Sequence, residues 1–239
     1  MSLFALIGGK TNKEILNNKI ERYIVSLANK DKPIVLHCPY ASIKDMNKSN
    51  EKFMNLMKGI ECEIINLTLD NLNEFDSLLD KCDIFYISGG WCDDLIRFFK
   101  ENKLDQILKK YINSNKIFAG SSAGAMLYTK ASMGDKYVYY DNYHYYNFKM
   151  VECLGILNIT ICPHYQTEDL IVYNDELKKY QLPAFGIEND TMVVIDNDKF
   201  YIVKEDNNRS VYYFDKNNNY LMIPLYEGVL YEKNSGFRS

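Results

Sequence analysis

Ser122 stands in the run "FAGSSAGAM" (residues 118–126), where Gly120 to Gly124 spell G-x-S-x-G. A serine hydroxyl is a weak nucleophile until a base takes its proton, and that base must be held in the right tautomer. The small neighbours of Ser122 suit a strained strand-to-helix turn, although the same residues also suit plain packing of a helix on a strand. In a turn of the first kind Ser122 opens a helix, whose free N–H groups and dipole favour negative charge. The N–H of Ala123 then supplies half of an oxyanion hole. Gly90 in "YISGGWCDD" offers backbone without a Cβ for the other half.

The chain has three histidines. His37 lies inside the apolar run "IVLHCPY" and reads as a packed or hydrogen-bonded core residue. His144 falls in the tyrosine-rich stretch 136–148, which reads as a hairpin or loop packed by its rings, or as a lid or wall of a cleft. His164 follows "NITIC" and a proline, at the place where a base serving Ser122 has to stand. The six cysteines show no C-x-x-C pair and no histidine at zinc spacing, so neither a metal nor a disulfide framework is expected. No cofactor is expected either. Cys92, beside the glycine pair, is the thiol whose reactivity matters most.

The elements that must position these residues alternate through the first half of the chain. Apolar runs at 3–7, 33–38, 62–67, 82–87 and 116–120 read as strands, with helices near 44–58, 71–80 and 93–113. A first helix carries Leu16, Ile20, Tyr23, Ile24 and Leu27 on one face. This is α/β, a doubly wound and mainly parallel sheet. After it come a strand at 158–162, a helix near 167–180, a strand at 183–187 and a C-terminal antiparallel meander of about 191–230. With no linker-like stretch, residues 1–239 read as one domain. In such sheets ligands bind beyond the carboxyl ends of the strands, where Gly90, Ser122 and His164 all fall.

The formal charge of −4 is spread without a basic stripe, which argues against nucleic acid or an anionic membrane surface as partner. No run reaches membrane-spanning length, and the N-terminal residues lack a basic stretch before a long apolar one. The expectation is a soluble, cytoplasmic protein. Monomer and homodimer are both compatible with the sequence.

Together, "GSSAGA", the later "PHY", "ISGGW", "GIENDTMVV" and the N-terminal "LIGGK" resemble peptidase family S51, the family of aspartyl dipeptidase (peptidase E) and cyanophycinase. The resemblance covers about the first 200 residues. It implies a fold similar to class I glutamine amidotransferases (flavodoxin-like), a serine nucleophile and no metal. By that match Ser122 is the nucleophile, His164 the base, and Gly90 and Ala123 the oxyanion donors. Family members carry a carboxylate in the segment matching "GIENDT", and here the matching position is Asn189, between Glu188 and Asp190. If that segment is extended, Asn189 faces one way and its neighbours the other. Asn189 and Glu188 rank first as the third member, Asp190 next, and Asp135 last. At Trp91 the family tends to have a small polar residue, so side-chain preference is open.

The resulting expectation is a serine hydrolase, a peptidase cleaving short peptides through a Ser-His-(Asn/Glu) triad. The alternative is a catalytically silent relative that binds a peptide or small molecule in the same cleft. An α/β-hydrolase esterase also carries G-x-S-x-G, but it expects a late histidine, and none follows His164.

Overall fold

The computed structural model describes residues 2–11, 18–140, 143–166 and 170–232, with side chains described outside 135–148 and 170–172. Alternation within β1 (Leu3–Ile7) shows how the chain is layered: Phe4 and Leu6 enter one apolar core, Ala5 and Ile7 another. A strand buried on both faces must be apolar at every position, which is why this sequence shows continuous runs rather than alternation. β4 (Ile84–Ile87) is likewise apolar throughout, while β2 (Ile34–Cys38) and β5 (Ile117–Ser121) are apolar but for the buried His37 and Ser121. With β3 (Glu63–Asn66) they form a parallel set in the order β1-β5-β4-β2-β3.

Helices cover both faces. α1 (Lys19–Ser26) contributes Ile20 and Ile24 to one core, together with Phe53 of α2 (Met46–Leu56). On the other face lie Phe75 and Leu79 of α3 (Phe75–Lys81), Leu95 and Phe99 of α4 (Cys92–Glu101), and Leu108 of α5 (Leu104–Lys110). The helix expected over 93–113 is therefore two. Lys103 sits in the left-handed region at φ 58° and ends the run, although the apolar periodicity continues across it.

The rest of the chain builds a second sheet and extends the first. α6 (Ala123–Leu127) follows β5 directly and leads into β6 (Thr129–Tyr140), which pairs antiparallel with β7 (Tyr143–Glu152). The tyrosine-rich stretch, outside residues 141 and 142, thus lies on these two paired strands. β8 (Leu157–Pro163) lies parallel to β6 and to β9 (Ala184–Ile187), with α7 (Leu170–Tyr180) between β8 and β9. β10 (Thr191–Asp196) and β11 (Lys199–Lys204) then form a hairpin antiparallel to β1.

The expected C-terminal meander does not stay together. β12 (Val211–Asp215) crosses to β9 and pairs with β13 (Leu221–Pro224), while β14 (Tyr231–Glu232) returns to β11. The result is two mixed sheets, eight strands in the order β14-β11-β10-β1-β5-β4-β2-β3 and six in the order β13-β12-β9-β8-β6-β7. The eight-stranded sheet is mixed: the parallel set is extended beyond β1 by the antiparallel β10, β11 and β14. Ile159, Ile161 and Phe185 of the smaller sheet share a core with Val193 and Ile195 of the larger. No helix among the described residues is long and apolar enough to cross a membrane.

Candidate active site

Two glycines account for the form of the serine turn. A Cβ on Gly120 would lie 2.3 Å from the Gly124 backbone, and one on Gly124 only 2.2 Å from the Ile87 carbonyl. α6 is thereby drawn against β4 and β5 so closely that no side chain fits between. Ser122, at the junction, has φ 52° and ψ −116°, a conformation that L-residues rarely adopt and that the packing on either side imposes. Its N–H donates to the Ile7 carbonyl at 2.9 Å, fixing the turn to the end of β1. α6 has only five residues, so the helix dipole invoked from the sequence is small. What the turn does offer is the first N–H of α6, that of Ala123, for which the helix has no acceptor.

His164 follows the last residue of β8, Pro163, with φ 53°. Its N–H donates to the Gly8 carbonyl at 2.9 Å. One ring nitrogen, Nε2, lies 2.7 Å from Ser122 Oγ, and the other, Nδ1, lies 2.6 Å from Asn189 Oδ1. An amide oxygen only accepts, so Nδ1 carries the ring proton and Nε2 presents its lone pair to the serine hydroxyl. The two contacts therefore select one tautomer.

The segment 188–190 is a tight turn between β9 and β10, not an extended strand, so its three side chains diverge to three partners. Asn189 faces His164. The Glu188 carboxylate lies 3.9 Å from the Arg209 guanidinium. Asp190, buried and at φ 61°, accepts from the Thr11 N–H at 3.0 Å and the Thr11 hydroxyl at 2.7 Å. Among the described side chains weighed for the third place, only Asn189 is hydrogen-bonded to the ring. Asp135 lies on β6, and its side chain is outside the described residues, as is that of His144.

The "LIGGK" glycines carry more than sequence reasoning assigned them. A Cβ on Gly9 would fall 2.2 Å from the His164 ring and 2.5 Å from Asn189 Oδ1, so the pair rests directly on this backbone. The Gly9 carbonyl accepts from Asp190 N–H at 2.9 Å. Lys10 beyond it bonds both Glu21, at 2.9 Å, and Glu205. Burial opposes the lysine's charge, but the two carboxylates hold its pKa above the ordinary value. A glycine pair after a strand was the signal available; its contact with His164 was not readable from spacing.

Gly89 and Gly90 follow Ser88 at the end of β4. A Cβ on Gly89 would lie 3.2 Å from Ser122 Cβ, which puts this loop beside the serine. Trp91, just before α4, is 37% exposed. Cys92 is not primed as a nucleophile: a hydrogen bond with Cys153 and burial both push its thiol pKa well up. His37 is fully buried, as expected for a core residue.

Residues 3–203 match the family model for peptidase family S51. Over 168 residues the chain is 26% identical to the uncharacterized peptidase YgaJ of Bacillus subtilis, covering 70% of this chain and 69% of that protein. A crystal structure of a peptidase from an acI-B1 Actinobacterium superposes with a TM-score of 0.67 at 20% identity, covering 98% of this chain and 97% of the other. A putative peptidase E protein from Listeria monocytogenes EGD-e gives 0.59 at 17% identity, over 85% of this chain and 98% of that one. The two structures speak for a shared fold.

Proposed function

The chain belongs to peptidase family S51, and from that footing we propose that it is a serine-type peptidase cleaving short peptides, with Ser122, His164 and Asn189 as its triad. The observation that carries this reading is the continuous relay Ser122 Oγ, His164 Nε2, His164 Nδ1, Asn189 Oδ1, with both contacts at hydrogen-bond length. His164 takes the Ser122 proton as Oγ attacks the scissile carbonyl. Asn189 Oδ1 keeps the ring aligned and accepts from the imidazolium's Nδ1–H. The N–H groups of Gly90 and Ala123 receive the oxyanion, and His164 then passes its proton to the departing amine. Water, activated by the same imidazole, releases the acid from Ser122. Trp91 supplies an apolar wall for a substrate side chain next to the reacting carbonyl.

A library of dipeptides and tripeptides, followed by liquid chromatography, tests this reading. At least one member is expected to be hydrolysed, with the activity abolished in Ser122→Ala. Asn189, a neutral group where the family carries a carboxylate, favours a second reading: a silent relative that binds a peptide in the same cleft. That reading requires ligand-induced thermal stabilisation without turnover, and any hydrolysis lost in Ser122→Ala eliminates it.

A further inference from the structure

The Gly89–Gly90 loop lies between two turns, Ala41–Ser42 on one side and Ser121–Ser122 on the other. A Cβ on Gly90 would fall 2.1 Å from the Ala41 carbonyl, while one on Gly89 would approach both Ser121 and Ser122 at 3.2 Å. Three hydrogen bonds tie the loop to the segment after β2. Ser88 N–H donates to the Cys38 carbonyl at 3.1 Å, and Trp91 N–H to the Ala41 carbonyl at 2.7 Å. The Ser42 hydroxyl donates to the Gly89 carbonyl at 3.0 Å. In a trans peptide the C=O and N–H point in opposite directions. Drawing the Gly89 carbonyl towards Ser42 therefore turns the Gly90 N–H of the same peptide away from Ser42, towards the side on which Ser122 stands.

The start of the loop is fixed by a second relay, centred on the buried His37. His37 Nδ1 lies 2.9 Å from Asn66 Oδ1, and its Nε2 lies 2.7 Å from Ser88 Oγ. The amide oxygen can only accept, so the Ser88 hydroxyl donates to Nε2. The ring is stacked on Phe53 at 3.9 Å and fully buried, which leaves it no route to a substrate and no freedom to turn.

We propose that Ser42 is a positioning residue that aims the Gly90 N–H at the oxyanion, with the Asn66–His37–Ser88 relay holding the other end of the same loop. This rests on the serine-peptidase reading. It adds a requirement that reading does not contain: a hydroxyl at position 42, far from the serine in sequence and making no contact with substrate.

The test is the rate of covalent labelling by a fluorophosphonate. Ser122 Oγ forms a bond to phosphorus, fluoride departs, the serine proton passes to His164, and the phosphoryl oxygen takes the place of the oxyanion. Ser42→Ala is expected to slow labelling about tenfold, a fraction of the 10²–10³ that loss of a whole oxyanion donor costs. On a hydrolysed peptide it lowers kcat and leaves KM within about twofold, because the donor acts on charge that develops in the transition state. Ser42→Thr, which keeps the hydroxyl, restores the rate, as a merely structural loss of packing would not predict. Ser88→Ala slows labelling in the same direction and serves if Ser42→Ala does not fold. Wild-type labelling rates in folded Ser42→Ala, or in Ser88→Ala if the former does not fold, overturn the inference and leave the serine reading standing. No labelling of the wild-type protein together with no turnover overturns both.

Discussion

An amide oxygen shares with a carboxylate the ability to accept from His164 Nδ1–H, and so to select the tautomer whose Nε2 faces Ser122. It lacks the negative charge that stabilises the imidazolium once the proton has moved. Asn189→Ala, which gives up orientation as well, is expected to lower kcat by about 10²-fold, near the lower end of what general acid–base catalysis contributes. Asn189→Asp restores the charge and is expected to raise kcat. Glu188→Gln, whose side chain faces Arg209, is expected to leave it within about twofold. Steady-state kinetics on one substrate separates these cases. At this scale Ser122 and His164 could be named as candidates because each sits at a strand end in a short motif, whereas the third place stayed open among Asn189 and its neighbours because the 188–190 turn does not show in the sequence. Ser42, Ser88 and Lys10 could not be named, because each acts through contacts with segments distant in sequence, and nothing in the local spacing records such a contact.

At the scale of elements, the site is assembled on the carboxyl ends of β1, β4, β5 and β8 and on the turn between β9 and β10. The end of β1 is the common support: Gly8 and Gly9 hold His164 and Asp190 by backbone bonds, and Lys10 anchors them between Glu21 and Glu205. All three side chains are largely buried, at 14%, 0% and 2% exposure. Lys10→Met leaves two buried carboxylates without their cation and is expected to cost about 3–5 kcal/mol of unfolding free energy, measured by urea titration. Lys10→Met with Glu21→Gln and Glu205→Gln removes the stranded charge and recovers part of that loss. The parallel strands could be read from the sequence because most of them are short, largely apolar runs, the central ones buried on both faces. The partition of β10–β13 between two sheets could not, since a strand such as β12 has the same alternation whether it pairs with β11 or with β9. The break between α4 and α5 was hidden likewise, for lysine is a residue that a helix accepts and nothing in its type marks the left-handed turn at Lys103.

For the molecule as a whole, the two relays differ in what surrounds them. The His164 relay is open to solvent, whereas burial pushes the His37 pKa down to about 4. The folded protein thus refuses a proton that the unfolded chain accepts near pH 6.5. Stability from this group is fully present above pH 6.5 and is lost as the pH falls from there towards 4, by at most about 3 kcal/mol. Urea titrations at pH 7 and pH 4.5 are expected to show a larger fall for the wild-type protein than for His37→Gln, which cannot titrate. The central claim is that this fold makes Ser122, and not its neighbour Ser121, a nucleophile. Peptide mapping by mass spectrometry after fluorophosphonate treatment tests it most directly. A single adduct on Ser122, absent in His164→Ala, is expected; an adduct on another residue, or none on folded protein, contradicts a nucleophilic Ser122.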